Sequence, residues 1–178
     1  MDILINFIDG IMHIDKYLAL MVQQYGMLTY CVLFLIIFIE TGLVITPFLP
    51  GDSMLFAAGT LAGIGSMNIF TLIIVAYLAA VLGDTANYFV GKKIGKKILS
   101  KEKVRFINKD YLIKAQKFYE KHGSMTIVIA RFIPIIRTFA PFVAGIGEMN
   151  YSKFIPYNIF GGGLWVSLFL DGGRSEEH

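Results

Sequence analysis

Cysteine, histidine and charge are all scarce in this chain. It has one cysteine, one tryptophan and three histidines in 178 residues. A lone Cys31 excludes a disulfide framework and a zinc site; inside an apolar block it reads as a small buried hydrophobe. Asp, Glu, Lys and Arg make up 16% of the chain, against about a quarter in an ordinary soluble domain. The patterns Gly-x-Ser-x-Gly, His-Glu-x-x-His and the P-loop do not occur. Of His13, His122 and His178, only His122, in the stretch KHG, stands at the edge of an apolar segment, where a capping or interfacial role suits it. Covalent phosphatase-type chemistry needs a nucleophile or base beside its cationic groups. None is evident, so no enzyme, cofactor or metal is expected. The N-terminus has no basic n-region, and Asp2, Asp9 and Asp15 interrupt its apolar run, which excludes a signal peptide. Ile5, Ile8, Ile11 and Met12 recur there at helical spacing, as in an interfacial amphipathic helix over residues 1–24.

Long apolar runs are what the sequence does have. It is 56% hydrophobic with a mean hydropathy of +0.64. Residues 27–39 (MLTYCVLFLIIFI) and 69–83 (IFTLIIVAYLAAVLG) carry no charge, and with their flanks each reaches the roughly 20 residues a membrane helix needs. An integral membrane protein is expected. Between Lys92 and Lys121 there are eleven basic and three acidic residues, and only five basic residues lie elsewhere. A basic excess in a short loop marks the cytoplasmic side, so a helix over about 68–91 should run inward. In KDYLIKAQKFYEK, Tyr111, Leu112, Ala115, Phe118 and Tyr119 share a helical face, suited to lying on anionic headgroups. With membrane segments on both sides, this block is not read as a nucleic-acid patch.

The chain also repeats itself. LAGIGSMN (61–68) and VAGIGEMN (143–150) agree at six of eight positions, 82 residues apart. Each follows a proline-containing apolar stretch and precedes an apolar helix, 69–90 and 154–170. A single crossing between the copies places them in opposite orientation. The expected fold is therefore all-α: two inverted repeats, each a re-entrant helical hairpin followed by a transmembrane helix. Irregular backbone at that depth is tolerated only where protein or a water-filled cavity covers it. The hairpin breaks are expected at Pro47, Pro50 and Gly51 in the first copy, and at Pro134 and Pro141 in the second. Residues 27–45 either cross fully or form the first arm of a hairpin ending near residue 65.

Five ionisable residues stand in apolar surroundings: Glu40, Asp52, Asp84, Arg131 and Arg137. Each would cost about 2.5–3.5 kcal/mol at a lipid-facing helix centre, so partners are required. The acids come mainly from the first copy and the arginines from the second, and facing hairpins would bring them together. On a straight helix, six residues would turn Arg131 and Arg137 about 120° apart; a break at Pro134 lets both reach one cavity. Two guanidiniums in a dry pocket suit a phosphate. The plainer reading is that acids and arginines tie the hairpins together. With three acids against two arginines, one carboxyl is a candidate proton-coupling or gating group. Glu40 and Asp52 come first, since Asp84, near a helix end, can reach water or cap a neighbour.

These residues carry a resemblance. FIETGLVITPFLPGDSMLFAAG (38–59), GDTANYFVGKKIG (83–95), FYEKHG (118–123) and ARFIPIIRTFAPFVAG (130–145) resemble the DedA family of bacterial inner-membrane proteins, which carries the VTT or SNARE-associated-Golgi-type membrane domain. The resemblance implies two facing re-entrant hairpins and movement of lipids between leaflets. It points to undecaprenyl phosphate or phospholipids, with links to scramblases, envelope integrity and proton-motive force. It places the family's functional acids at Glu40 and Asp52, and its paired arginines at Arg131 and Arg137. The last apolar run stops at Leu170, and the polar DGGRSEEH that follows departs from the family pattern, as in a shortened form.

The organisation expected is thus an amphipathic helix (1–24), a membrane domain (25–170) and a polar tail (171–178). The domain divides into a first repeat (25–91), a basic cytoplasmic loop (92–121) and a second repeat (122–170). The expected function is a multi-pass inner-membrane translocase for an anionic lipid, most of all undecaprenyl phosphate, with proton coupling as an option. The alternatives are a proton-coupled small-solute transporter using the same acids, and an envelope scaffold without transport. Membrane lipids are the expected partners. A homo-oligomer could use Gly91-x-x-x-Gly95 or Gly161–Gly163, although packing within one chain suits those glycines better.

Overall fold

A computed structural model describes residues 14–43, 51–99 and 109–175, and these are helical with short turns and no strand among them. The helices are α1 (Ile14–Tyr25), α2 (Met27–Gly42), α3 (Gly51–Gly63), α4 (Ile69–Leu99), α5 (Lys109–His122), α6 (Thr126–Ala130), α7 (Pro134–Ile146) and α8 (Tyr151–Ser175). A 3-10 turn, Gly123–Met125, joins α5 to α6. The described part of the N-terminal region is α1; Ile5, Ile8, Ile11 and Met12 lie outside the described residues. Pro47 and Pro50 do too. Helix α2 ends at Gly42, and the next described helix, α3, begins at Gly51.

Large apolar side chains lie on the outward faces of the helices as well as in the core. On α4, Phe70, Ile73, Ile74, Leu78 and Leu82 are exposed, whereas Leu72, Ala76, Ala79, Ala80, Asp84 and Asn87 are buried. The outward stripe is large and apolar, and the inward one is small or polar apart from Leu72 and Tyr88. On α2, Leu28, Leu35 and Ile39 face out while Thr29, Glu40 and Thr41 are buried. Cys31, expected to be buried, is exposed, because it falls on the outward face of α2 while Leu33 and Ile37 of the same run face the core. Residues Ile69–Lys93 of α4 are long and apolar enough to cross a membrane: 25 residues at about 1.5 Å each span about 37 Å, more than the ~30 Å hydrocarbon core.

Backbone contacts divide the chain into two compact units. One comprises Met1–Ile36, Pro50–Leu78 and Val166–His178. Its core holds Leu18, Leu33, Leu55, Ala58, Leu72 and Leu170. A groove of about 420 Å³ is lined by Met27, Tyr30, Cys31, Phe34, Leu35, Thr71 and Val75. Thr60 donates its hydroxyl to the Gly173 carbonyl at 3.0 Å. That bond helps explain a departure from expectation: the last apolar run stops at Leu170, yet α8 continues through Asp171 to Ser175. Packing overrides the poor helix propensity of Gly172 and Gly173.

The other unit comprises Ile37–Leu49 and Ala79–Trp165. Tyr88, Ile127, Ala144 and Phe154 form a buried cluster. Tyr88 stacks on Phe154 at 4.7 Å and donates its hydroxyl to the Met149 carbonyl at 2.5 Å. A methyl group on Gly91 would strike the Phe142 backbone, and one on Gly145 would strike the Tyr88 carbonyl. The glycines thus let α4 and α7 meet backbone to backbone within one chain. Gly145→Val should therefore lower stability by about 1–3 kcal/mol, the usual cost of overpacking, read as a fall in Tm in detergent. The first residues of the expected loop at 92–121 are helical. Helix α4 runs on to Leu99, since the GKKIGKKIL segment is mostly good helix formers.

The second break falls at Pro134. Helix α6 ends at Ala130, Ile133 is extended (φ −118°, ψ 104°) and proline opens α7. A residue before proline is pushed out of the α region, and proline at the first helical position lacks only a donor that would be unsatisfied anyway. Pro141, expected as a further break, lies inside α7, which continues to Ile146. Interior proline removes one bond, to the carbonyl four residues earlier; here that is the carbonyl of Arg137, and the surrounding helix survives.

The repeated octapeptides have matching local structure. Each closes a 13-residue helix, α3 or α7. Each ends in an asparagine whose Oδ1 accepts from the next helix: Asn68 from the Thr71 amide at 3.1 Å, Asn150 from the Ser152 amide at 3.0 Å. The left-handed residue is Gly65 in the first (φ 78°) and Glu148 in the second (φ 52°), one place later in the pattern.

Candidate functional site: two buried ion pairs

Four of the five singled-out ionisable residues lie in the second unit and form two pairs. Arg137 Nη2 is 2.5 Å from Glu40 Oε1, and Arg131 Nη2 is 2.5 Å from Asp84 Oδ2. Residue exposures are 5%, 3%, 3% and 2% for Arg137, Glu40, Arg131 and Asp84. The first pair joins the end of α2 to α7. The second joins α4 to the turn between α6 and α7. The break at Pro134 separates the arginines, one in the turn and one a turn into α7, and each takes its own carboxylate. Asp84, expected near water or at a cap, is instead buried in the interior and paired through its Oδ2. Asp52 belongs to the other unit. It is half-buried in the first turn of α3, where the helix dipole favours a carboxylate.

Sequence reasoning missed the groups that orient these pairs. Asn158, on α8, accepts from Arg131 through its Oδ1. Its amide group donates to the Val81 carbonyl at 3.0 Å and to the Thr85 hydroxyl at 3.3 Å. Asn87, on α4, donates to the Thr41 carbonyl at 3.1 Å and to the Thr138 carbonyl at 2.7 Å. Thr41 and Thr138 directly follow Glu40 and Arg137, so one amide clamps the two stretches of chain that carry that pair. The Thr41 carbonyl is at the end of α2, where helix carbonyls lack internal partners. The Arg137 guanidinium also lies 5.5 Å from the Trp165 ring, within cation–π range. Gly161 makes room for Arg131: a methyl group there would press on its Cδ and Nε at 3.2 Å. The signal available was two amides in otherwise apolar runs, ANYF and YNIFGGG.

Next to this layer, on α5, burial and then the charge of Asp84 hold the Tyr119 phenol above its ordinary 10.0. A group with a raised folded pKa supports folding fully below its unfolded pKa and loses that support as pH rises toward the folded value. Stability should therefore fall above about pH 10, and Tyr119→Phe should flatten that alkaline loss in thermal melts.

Residues 49–175 match the VTT domain. Protein DedA of Escherichia coli strain K12 is 50% identical over 175 residues, 97% of this chain and 80% of that protein. The chain belongs to the DedA family. Within the family it is also similar to the uncharacterized membrane protein Rv0364 of Mycobacterium tuberculosis strain H37Rv, at 44% identity over 74% of this chain and 58% of that one. The inner membrane protein YqjA of E. coli strain K12 is 36% identical over 80% of this chain and 64% of its own length. No solved structure matches the chain. As a DedA-family protein with apolar outward faces and an interior that holds its charges in pairs, this is a helical membrane protein. The VTT match runs through the residues that form α8, up to 175.

Proposed function

We propose that this chain carries an anionic lipid between the leaflets of the bacterial inner membrane, as a multi-pass protein in which the segments before the two octapeptides are re-entrant hairpins of an inverted repeat. The lipid class is a polyprenyl phosphate, with undecaprenyl phosphate the leading substrate, and transport draws on the proton-motive force. The observation that carries this reading is the pair of buried guanidiniums around the start of α7. Arg131 lies just before its first turn and Arg137 just inside it, in a chain whose outer faces are apolar. A helix start favours anions, and arginine matches phosphate oxygens bidentately. The carboxylates opposite hold the arginines when no headgroup is present and are displaced by one, while the prenyl chain stays in lipid. No covalent step is assigned to the protein.

The matching helix–turn–helix geometry at the two octapeptides supports the repeat. A second reading has its own support: both arginines already have carboxylate partners, as a purely structural tie requires. Native mass spectrometry of the full chain in detergent separates the two. The transport reading expects retention of a polyprenyl phosphate over its neutral alcohol, lost in Arg131→Gln and Arg137→Gln. Equal retention of phosphate and alcohol favours the tie. Selective retention of a soluble anionic solute instead would point to solute transport.

A further inference from the structure

Two buried oxygens in the ion-pair layer have no donor. Oδ1 of Asp84 and Oδ1 of Asn87 lack a hydrogen-bond partner among the described residues, although Asn87 is 0% exposed. The orientation of the Asn87 amide is settled by its neighbours. Its NH2 group faces two carbonyls, Thr41 and Thr138, which can only accept, so exchanging N and O would break both bonds. Its oxygen must then face elsewhere as an acceptor. Asp84 is fixed in a similar way, with Oδ2 committed to Arg131. Residues 84 and 87 are three apart on α4 and so are neighbours on one helical face. Two unpartnered buried acceptors on one helical face, one of them charged, suit a species that is positive or only donates.

We infer that Asp84 and Asn87 form a buried site for a small monovalent cation, a proton or an alkali-metal ion, whose binding releases Arg131 toward an anion. The charge balance explains the coupling. The Asp84–Arg131 pair is neutral. A cation alone on Asp84 leaves the guanidinium uncompensated, and an anion alone on Arg131 leaves the carboxylate so; isolated buried charges are costly. Cation and anion together restore neutrality, so each raises the affinity for the other by the same factor. As a proton, the cation sits on Asp84 Oδ1 and is donated to Asn87 Oδ1. As an alkali ion, it takes both oxygens as ligands. The charged and titratable groups around Asp84 are Arg131, Arg137 and Tyr119, with Glu40 on α2 paired to Arg137. The identity of the anion rests on the lipid-transport reading above; the cation site does not.

The test is thermal unfolding of the full chain in detergent without added lipid, with inorganic phosphate held at fixed concentration as the anion, so that cation and anion can bind together. Sodium replaces an inert organic cation at fixed pH and ionic strength, and pH is then varied without sodium. A saturable rise in Tm with sodium, or with acidity alone, is expected and identifies the cation. Asp84→Asn should abolish the response. Asn87→Ala, which removes the second acceptor, should weaken the apparent constant by about tenfold, as one pKa unit of coupling would. A Tm insensitive to both cations, or a response unchanged in both variants, overturns the site. Lipid retention without cation linkage would remove only this inference; cation linkage without lipid retention would remove the lipid reading and leave the site.

Discussion

Arg131→Gln is expected to destabilise the folded chain by about 3–5 kcal/mol, the cost of leaving one member of a buried pair alone. The guanidinium bonds both Asp84 and Asn158, so its removal strands a carboxylate and an amide oxygen in an apolar interior. Asp84→Asn should cost a similar amount, with the charge left on the arginine side. The double variant should recover most of the loss, because two neutral amides need far less solvation than one bare ion. The measurement is a double-mutant cycle on denaturant or thermal unfolding in detergent, and the expected coupling is at least about 2 kcal/mol. Simple additivity would show that Asp84 and Arg131 do not act as a unit, and that the interior does not hold its charges in pairs. A lipid-facing location for these residues would also give additivity, since each would then be solvated independently at a bilayer defect.

Family, class and most of the chemistry-bearing residues were legible in the sequence, because an ionisable group in an apolar run is costly enough to stand out without any geometry. Pro134 was legible for a similar reason: its effect on the preceding residue is local and steric. Pro141 has the same composition signal but a different result, since a helix already formed on both sides tolerates one missing bond. The pairing scheme was only half legible. Opposite charges were expected to meet between residues 25–91 and 122–170, and both Glu40–Arg137 and Asp84–Arg131 do so, but Asp84 was not the acid expected to pair. Asp84 reads from sequence as a residue at a wet helix end, because a helix stopping near residue 91 leaves it close to the terminus. The helix runs to Leu99, which puts Asp84 in its middle. Asn87 and Asn158 escape notice because amides carry no formal charge, yet a buried amide needs partners almost as strictly as an ion does. Their roles depend on carbonyls from distant segments, Thr41, Thr138 and Val81, and no one-dimensional pattern reveals those.

The Glu40–Arg137 pair offers the sharpest separation between a tie and a site. Neutralising the acid, Glu40→Gln, removes the competitor for the guanidinium while the shape of the side chain is kept. If the pair exists to hold a headgroup, this variant should retain a polyprenyl phosphate more tightly than the wild type, by about tenfold for each 1.4 kcal/mol of competition removed. It should also move lipid more slowly, since tighter binding with no returning carboxylate hinders release. Arg137→Gln should lose both binding and movement. If the pair is only a tie, both substitutions should lower stability alike and neither should change phosphate selectivity. Stability alone cannot decide, because both readings strand a charge. The deciding quantity is the opposite sign of the two binding changes, measured as the phosphate-to-alcohol retention ratio by native mass spectrometry, with leaflet-to-leaflet movement followed in proteoliposomes. Asn87 supplies an internal check. It clamps the residues that follow both partners, so Asn87→Leu should loosen the pair without touching either charge, and its retention ratio should fall between those of the two charge variants.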